Sequence, residues 1–220
     1  MLSLLLACDP SAAERLAAAE VATDIDTALA ACPDAPCMAN AVARLGAWER
    51  CASIPDPWDD ECRFWQAEAV ERGGDAAGAL DICRDTTFGM GCSTHVLGQA
   101  ARRAEGLDAA ASTWDELRPH TDPKLGFSYW RAWWRMGIDR GSAPGIEACR
   151  DMTCRKAAER EIEATVHQLG IPCGADRPAP GWIAEGSAAS ATQWASSVER
   201  LCTRGEPGVP IKLEGPGRPR

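Results

Sequence analysis

The 220-residue chain is poor in the side chains that usually perform catalysis or bind polyanions. It has three histidines, one tyrosine and three lysines, and its 23 basic residues are outnumbered by 32 acidic ones. No basic stripe is available for a phosphate backbone, which argues against nucleic acid as a partner. The net charge of −9 beside 45% hydrophobic residues also excludes a wholly disordered chain.

The motifs that identify common enzyme classes are missing too. The sequence contains no phosphate-binding glycine loop, no His-Glu-x-x-His, no Gly-x-Ser-x-Gly and no Cys-x-x-Cys. His95 follows Cys92 by three residues, but two positions on one helix do not assemble a catalytic triad. We therefore expect no catalytic residue, no metal, no cofactor and a role that is not enzymatic.

The amino terminus is a short apolar segment that is much shorter than the roughly 20 residues of a membrane span. Leu5-Leu6-Ala7-Cys8 resembles the lipobox of bacterial lipoproteins, in which the cysteine is acylated and becomes the first residue of the mature chain. The resemblance implies that Cys8 is lipidated and anchors the chain to a membrane surface. It also implies a location in the bacterial cell envelope, facing the periplasm or on the cell surface. The alternative is a free cysteine at a disordered end.

Eleven cysteines are more than a reduced cytosolic protein usually carries. Without Cys8 they form four closely spaced pairs and one wide pair, namely Cys32 and Cys37, Cys51 and Cys62, Cys83 and Cys92, Cys149 and Cys154, and Cys173 and Cys202. Turn residues separate the members of the short pairs, so each short pair brackets a loop between two helices. We predict five disulfides, of which each short one contributes roughly 2 to 3 kcal/mol. The alternative is zinc bound by the four thiolates of the first and fourth pairs, although zinc ribbons use tighter spacings.

The cysteines also mark an internal repeat. Cys62 and Cys92 are 30 residues apart, and two further steps of 31 lead to Pro123 and Cys154. These positions predict first helices over 62–72, 92–104, 123–137 and 154–169, each followed by a turn and a second helix. Ser142 is the expected cap of the second helix after the turn at 141–144. Where the third repeat has lost its cysteines, we expect the large indole of Trp114 to be buried in place of the disulfide.

The composition favours helices throughout, because the chain holds 40 alanines and lacks alternating runs of β-branched residues. Residues 72–83 and 103–111 resemble the turn and second helix of tetratricopeptide-like and Sel1-like repeats, within a stretch of about 24–170. The resemblance implies an all-α fold without a β-sheet, built as a short α-solenoid of helical hairpins. It further implies a concave surface that is suited to binding a protein or a peptide.

Nine of the thirteen aromatic residues are tryptophan, and they are densest over 127–135. At helical spacing Phe127, Trp130 and Trp134 share one face, whereas Tyr129 and Trp133 share the adjacent one. The favoured interpretation is core packing. In the alternative, one face is exposed and Trp130, Trp133 and Trp134 form with Arg131 a site that stacks on a peptide, a sugar ring or a cell-wall fragment.

Four regions follow from these patterns. Residues 1–10 resemble a lipoprotein signal, and 11–172 form the helical repeat domain, which opens with a capping box at Ser11 and Glu14. Residues 173–204 form one more helix closed by the Cys173–Cys202 disulfide, and 205–220 are a disordered tail rich in proline and glycine. We expect a non-catalytic envelope lipoprotein that serves as adaptor or scaffold for another envelope protein or peptide. The alternative is a binding module for a carbohydrate, a cell-wall fragment or a small ligand.

Overall fold

The computed structural model describes residues 11–169, 179–184 and 187–203, which fold into helices joined by short turns with no β-strand among them. The chain divides into two compact units, Met1–Val96 (unit 1) and Leu97–Arg220 (unit 2). The predicted all-α fold is confirmed. None of the helices in these ranges combines the length and the apolar character that crossing a lipid bilayer requires.

Unit 1 is a succession of short helices in which consecutive elements pack against one another. In chain order they are α1 (Ala12–Val21), α2 (Ile25–Ala31), α3 (Ala35–Leu45), a 3-10 helix (Trp48–Ser53), α4 (Trp58–Arg72) and α5 (Ala76–Arg84). Helix α6 (Gly89–Arg103) begins in unit 1 and ends in unit 2.

Side-chain caps explain why these helices start where they do. The amide of Glu14 donates to Ser11 Oγ and the amide of Ser11 donates to Glu14 Oε2, which confirms the predicted capping box. Asp24, Asp34 and Asp75 each accept an amide hydrogen bond in the first turn of the helix that follows. The helix boundaries are thus set by local sequence.

Unit 2 contains the end of α6 and five further helices within the described residues. These elements are α7 (Leu107–Leu117), α8 (Gly126–Asp139), α9 (Met152–Leu169), the single turn α10 (Gly181–Ala184) and α11 (Ala188–Thr203). Helix α8 packs against α7 and α9, and α9 packs against α11. Short 3-10 helices at Arg118–His120, Pro123–Leu125 and Ile146–Ala148 complete the connections.

The four short cysteine pairs are disulfides, as predicted. They are Cys32–Cys37, Cys51–Cys62, Cys83–Cys92 and Cys149–Cys154, with Cα–Cα distances between 5.4 and 5.6 Å. Each joins the end of one helical segment to the start of the next. Cys202 in α11 is disulfide-bonded. Its predicted partner Cys173 lies outside the described residues, as do Cys8 and the predicted tail.

One predicted helix is nearly absent. The segment after Gly141 runs without helical structure over 142–145, and only the 3-10 turn Ile146–Ala148 follows. This segment lies close against α8, since a Cβ added to Gly137 would be 3.2 Å from the Cα of Ala143. Ile146, in the 3-10 turn, is buried. The prediction of Ser142 as a helix cap is therefore wrong, because tertiary packing overrides a weak local signal.

Trp114 replaces the missing disulfide of the third repeat. Its side chain is only 9% exposed, and its ring lies 5.4 Å from that of Tyr129. It contacts the start of α8 so closely that a Cβ at Gly126 would lie 2.7 Å from Trp114 Cζ2. The expected buried indole at this junction is confirmed.

Candidate functional site

The tryptophan cluster of α8 lies inside unit 2. Trp130, Trp133 and Trp134 are 2%, 4% and 1% exposed, and neighbouring rings meet edge to face. Trp133 Nε1 donates to the backbone oxygen of Ala104 at 3.1 Å, which ties α8 to the end of α6. Tyr129 is also fully buried, and burial raises the pKa of its hydroxyl, which donates to the oxygen of Ala110. Both aromatic faces of the helix are therefore covered.

Arg131 is the one member of the predicted ligand set that reaches solvent. Its Nε lies 2.5 Å from Oε1 of Glu161, a carboxylate in α9 that is 2% exposed, and Arg135 Nη1 lies 3.2 Å from Oε2. The guanidinium of Arg131 also lies over the ring of Phe127 at 5.8 Å. Both arginines thus neutralise a buried carboxylate between α8 and α9.

A small pocket of about 200 Å³ borders this core in unit 2. Trp114 and Trp130 contribute to its wall together with Asp115, Arg150 and Asp151. Two of these polar groups have structural roles, since Arg150 pairs with Asp108 at 2.6 Å and Asp151 Oδ1 accepts the amide of Cys154. Trp133 and Trp134 do not line it.

The sulfur and imidazole groups that could suggest chemistry are engaged elsewhere. Cys92 is bonded to Cys83, and His95 Nε2 pairs with Glu68 Oε1 at 2.9 Å. The four thiolates of the zinc alternative form two separate local disulfides. Within the ranges that the structure covers, no group of three or more metal-ligating side chains is found.

A groove of about 510 Å³ lies in unit 1. Its wall on one side is the 3-10 helix, with Trp48, Glu49, Cys51 and Ala52. Helix α4 contributes Arg63 and Gln66, which are three residues apart and so share a face, and Ile82 and Asp85 complete it at the end of α5. Two disulfides fix these elements, because Cys51–Cys62 joins the 3-10 helix to α4 and Cys83–Cys92 joins α5 to α6.

Trp48 belongs both to the edge of the core and to the wall of the groove. It packs against the buried cluster that contains Val42, Ile54 and the Cys51–Cys62 disulfide, yet it also lines the groove. An indole held in this way offers a fixed aromatic surface to a ligand.

Among the charged side chains of the groove, Arg63 has a hydrogen-bond partner, whereas the two acids have none within the described residues. Arg63 Nη1 donates to the backbone oxygen of Asp85 at 3.3 Å, at the carboxyl end of α5. The carboxylates of Glu49 and Asp85 are exposed, and neither has an ion pair or hydrogen bond within the described residues. The groove therefore presents two free acids beside an aromatic ring, an arrangement suited to binding a cation.

Sequence reasoning did not find this groove. Trp48, Arg63 and Asp85 come from three different elements and share no motif. One sequence feature could have drawn attention to Asp85. It directly follows a helix that ends at Arg84, and the helix dipole disfavours a negative charge at that end.

A scan against protein-family models, a search of curated proteins and a search of solved structures found no match for this chain. The fold and the groove together define a disulfide-bonded, all-α protein with a groove in unit 1.

Proposed function

We propose that the protein is a non-catalytic adaptor of the bacterial cell envelope, anchored to a membrane by an acylated Cys8, which binds a segment of another envelope protein. The observation that carries the proposal is the groove between the 3-10 helix, α4 and α5 of unit 1. Its mixed lining of an indole, an amide and charged groups provides for both the apolar and the hydrogen-bonding contacts of a peptide.

The disulfides support the compartment and the mode of binding. Disulfides persist in oxidising compartments and are rare in the cytosol, which agrees with an envelope location. The Cys51–Cys62 disulfide also joins two walls of the groove, the 3-10 helix and α4, so less conformational entropy is lost on binding. The anchor at Cys8 rests on the lipobox resemblance alone.

The proposal is tested by photo-crosslinking in the native envelope. Ala52 is an exposed groove residue, and a photoreactive amino acid placed there should form one dominant protein adduct. The matched control is the same amino acid at Val21, which is 79% exposed on α1 and does not line the groove. An adduct from Ala52 that is missing from Val21 supports the adaptor. No adduct from Ala52, or the same adducts from both positions, contradicts it.

A second candidate function rests on the pocket beside Trp114 and Trp130, which is large enough for a small ligand only. A sugar ring or a cell-wall fragment is the candidate occupant. Titration with glycans and cell-wall fragments should then change the tryptophan fluorescence of the wild type but not that of a Trp114→Phe variant. A flat wild-type titration contradicts this function.

A further inference from the structure

We infer that the occupant of the unit 1 groove is a basic segment, from which a lysine or arginine side chain lies on Trp48 beside the carboxylates of Glu49 and Asp85. This inference rests on the proposed function, because it names the chemistry of the partner at the same groove.

The acidic side chains of the groove favour a cationic ligand. Glu49 and Asp85 line the same pocket and have no described ion pair, although elsewhere in unit 1 Asp26 pairs with Arg50 and Asp81 with Arg84. Arg63 lines the groove as well, but it donates to a backbone oxygen at the carboxyl end of α5. Its positive charge therefore compensates the helix dipole, and the two carboxylates are left for a ligand.

Asp85 places a carboxylate at the carboxyl end of α5. It is the residue at which α5 ends, where the partial negative charge of the last carbonyl groups favours cations and disfavours acids. Arg63 already donates to the carbonyl of Asp85, and a second cation bound in the groove would add to the compensation of the Asp85 carboxylate and of the helix end.

The indole of Trp48 also favours a cation. Trp48 is fixed on one side by the core cluster around Val42 and the Cys51–Cys62 disulfide. A ring whose orientation is already fixed loses little entropy when a cation stacks on it, and tryptophan is the aromatic side chain that attracts cations most strongly. Gln66, on the α4 side, can pair with the backbone of a bound segment.

The charge of the whole unit favours the same occupant. Residues 11–96 contain 15 acidic and six basic residues and no lysine, a formal charge of −9. The described residues of unit 2 contain 12 of each and are neutral. A negative field of this size attracts a cationic segment and repels an acidic one, and its effect decreases with ionic strength.

The test measures binding of labelled peptides to the purified oxidised protein by fluorescence anisotropy. The probes are a short peptide that alternates lysine with alanine and a counterpart in which glutamate replaces lysine. The lysine peptide should bind, with an affinity that decreases as salt is added, and the glutamate peptide should not. The double variant Glu49→Gln, Asp85→Asn should weaken binding about tenfold, and Trp48→Leu should weaken it by a similar factor.

The matched control is Glu20→Gln, Asp56→Asn, which removes the same charge from two exposed acids outside the groove. It should change the affinity by no more than about twofold, because exposed charges at a distance are screened. Circular dichroism of each variant verifies the fold. If Trp48→Leu does not fold, Trp48→Phe replaces it in the binding measurement.

Two results overturn the inference. One is equal affinity for the lysine and glutamate peptides, or no binding of the lysine peptide. The other is a loss of affinity as large in the control double variant as in the groove double variant. Failure of the proposed function gives a different result, because no specific adduct then forms from Ala52 in the envelope. If an adduct forms at Ala52 but the lysine peptide does not bind, the adaptor function is supported and the basic occupant is contradicted.

Discussion

Units 1 and 2 have different interiors. The fully buried residues of unit 1 are small, mainly alanine, valine and half-cystine, and three of the described disulfides lie there. Unit 2 buries Tyr129 and five tryptophans of α7, α8 and α11, and it holds the Cys149–Cys154 disulfide and the disulfide-bonded Cys202. A large aromatic side chain contributes several times the apolar area of an alanine. We therefore expect disulfides to contribute a larger share of the free energy of unfolding in unit 1, whose fully buried side chains are smaller.

The junction at Trp114 shows the same relation on a smaller scale. It is the one repeat boundary where the predicted cysteine positions are occupied by Trp114 and Pro123, and the indole is buried there. A large side chain that is buried between two helices thus takes the place of a disulfide at this junction.

The largest expected effect is the response to reduction. Loop-closure entropy assigns roughly 2 to 3 kcal/mol to each short disulfide, so the three in unit 1 together contribute about 7 kcal/mol. Hydrogen exchange of the full chain, before and after reduction, should show loss of amide protection in α3, α4 and α5, while α8 and α9 stay protected. Equal loss in both units would contradict the comparison.

The next effect concerns the buried carboxylate of unit 2. Replacing Arg131 and Arg135 together by methionine leaves Glu161 buried without a partner and should cost about 3 to 5 kcal/mol in free energy of unfolding. Glu161→Gln should cost only about 1 to 2 kcal/mol, because the two arginines can turn to solvent. Chemical denaturation measures both. Equal costs would show that the ion pairs are not what stabilises the α8–α9 contact.

A smaller effect is expected at the junction of Trp114 and Gly126. Gly126→Ala places a methyl group against the indole ring and should destabilise the protein by about 1 to 3 kcal/mol. Combining it with Trp114→Leu should cost less than the sum of the single changes, because the smaller side chain leaves room for the methyl group. Additive costs in thermal unfolding would argue against a direct contact.

The smallest effect is a pH dependence of unit 2. Burial raises the pKa of Tyr129, so the folded chain keeps the proton that the unfolded chain loses above about pH 10. The free energy of unfolding is therefore unaffected by this group below that pH and falls as pH rises above it. Tyr129 is the only tyrosine, so tyrosinate absorbance reports it alone and should appear only as the protein unfolds.

Tyr129→Phe is the control for this titration. It should remove the alkaline loss of stability, at a cost of about 1 kcal/mol for the hydrogen bond to Ala110. Tyrosinate absorbance that rises near the ordinary pKa in still folded wild-type protein would contradict the burial.

The features that depend on residues close together in the chain could be predicted from the sequence. Cysteine spacing predicted the four local disulfides, and the capping box at Ser11 and Glu14 predicted where α1 begins. These signals are local, because a short loop between two cysteines determines how far apart they can lie.

The features that depend on distant neighbours could not be predicted in the same way. Helical spacing places Trp133 and Trp134 on adjacent faces, but it does not show that Ala104, 29 residues earlier, accepts the hydrogen bond of Trp133. The groove is assembled from Trp48, Arg63 and Asp85, and only the packing of three elements brings them together. The helix expected after Ser142 does not form for the same reason, because packing against α8 overrides the local signal.

The most direct test of this account is the redox state of the cysteines in the native protein. Thiols are trapped by alkylation as cells are opened, and the linked peptides are mapped by mass spectrometry without reduction. The account predicts Cys32–Cys37, Cys51–Cys62 and Cys83–Cys92 as linked pairs in unit 1 and Cys149–Cys154 in unit 2. Alkylated thiols at these positions, or links between different pairs, would contradict both the stabilisation of unit 1 and the envelope location.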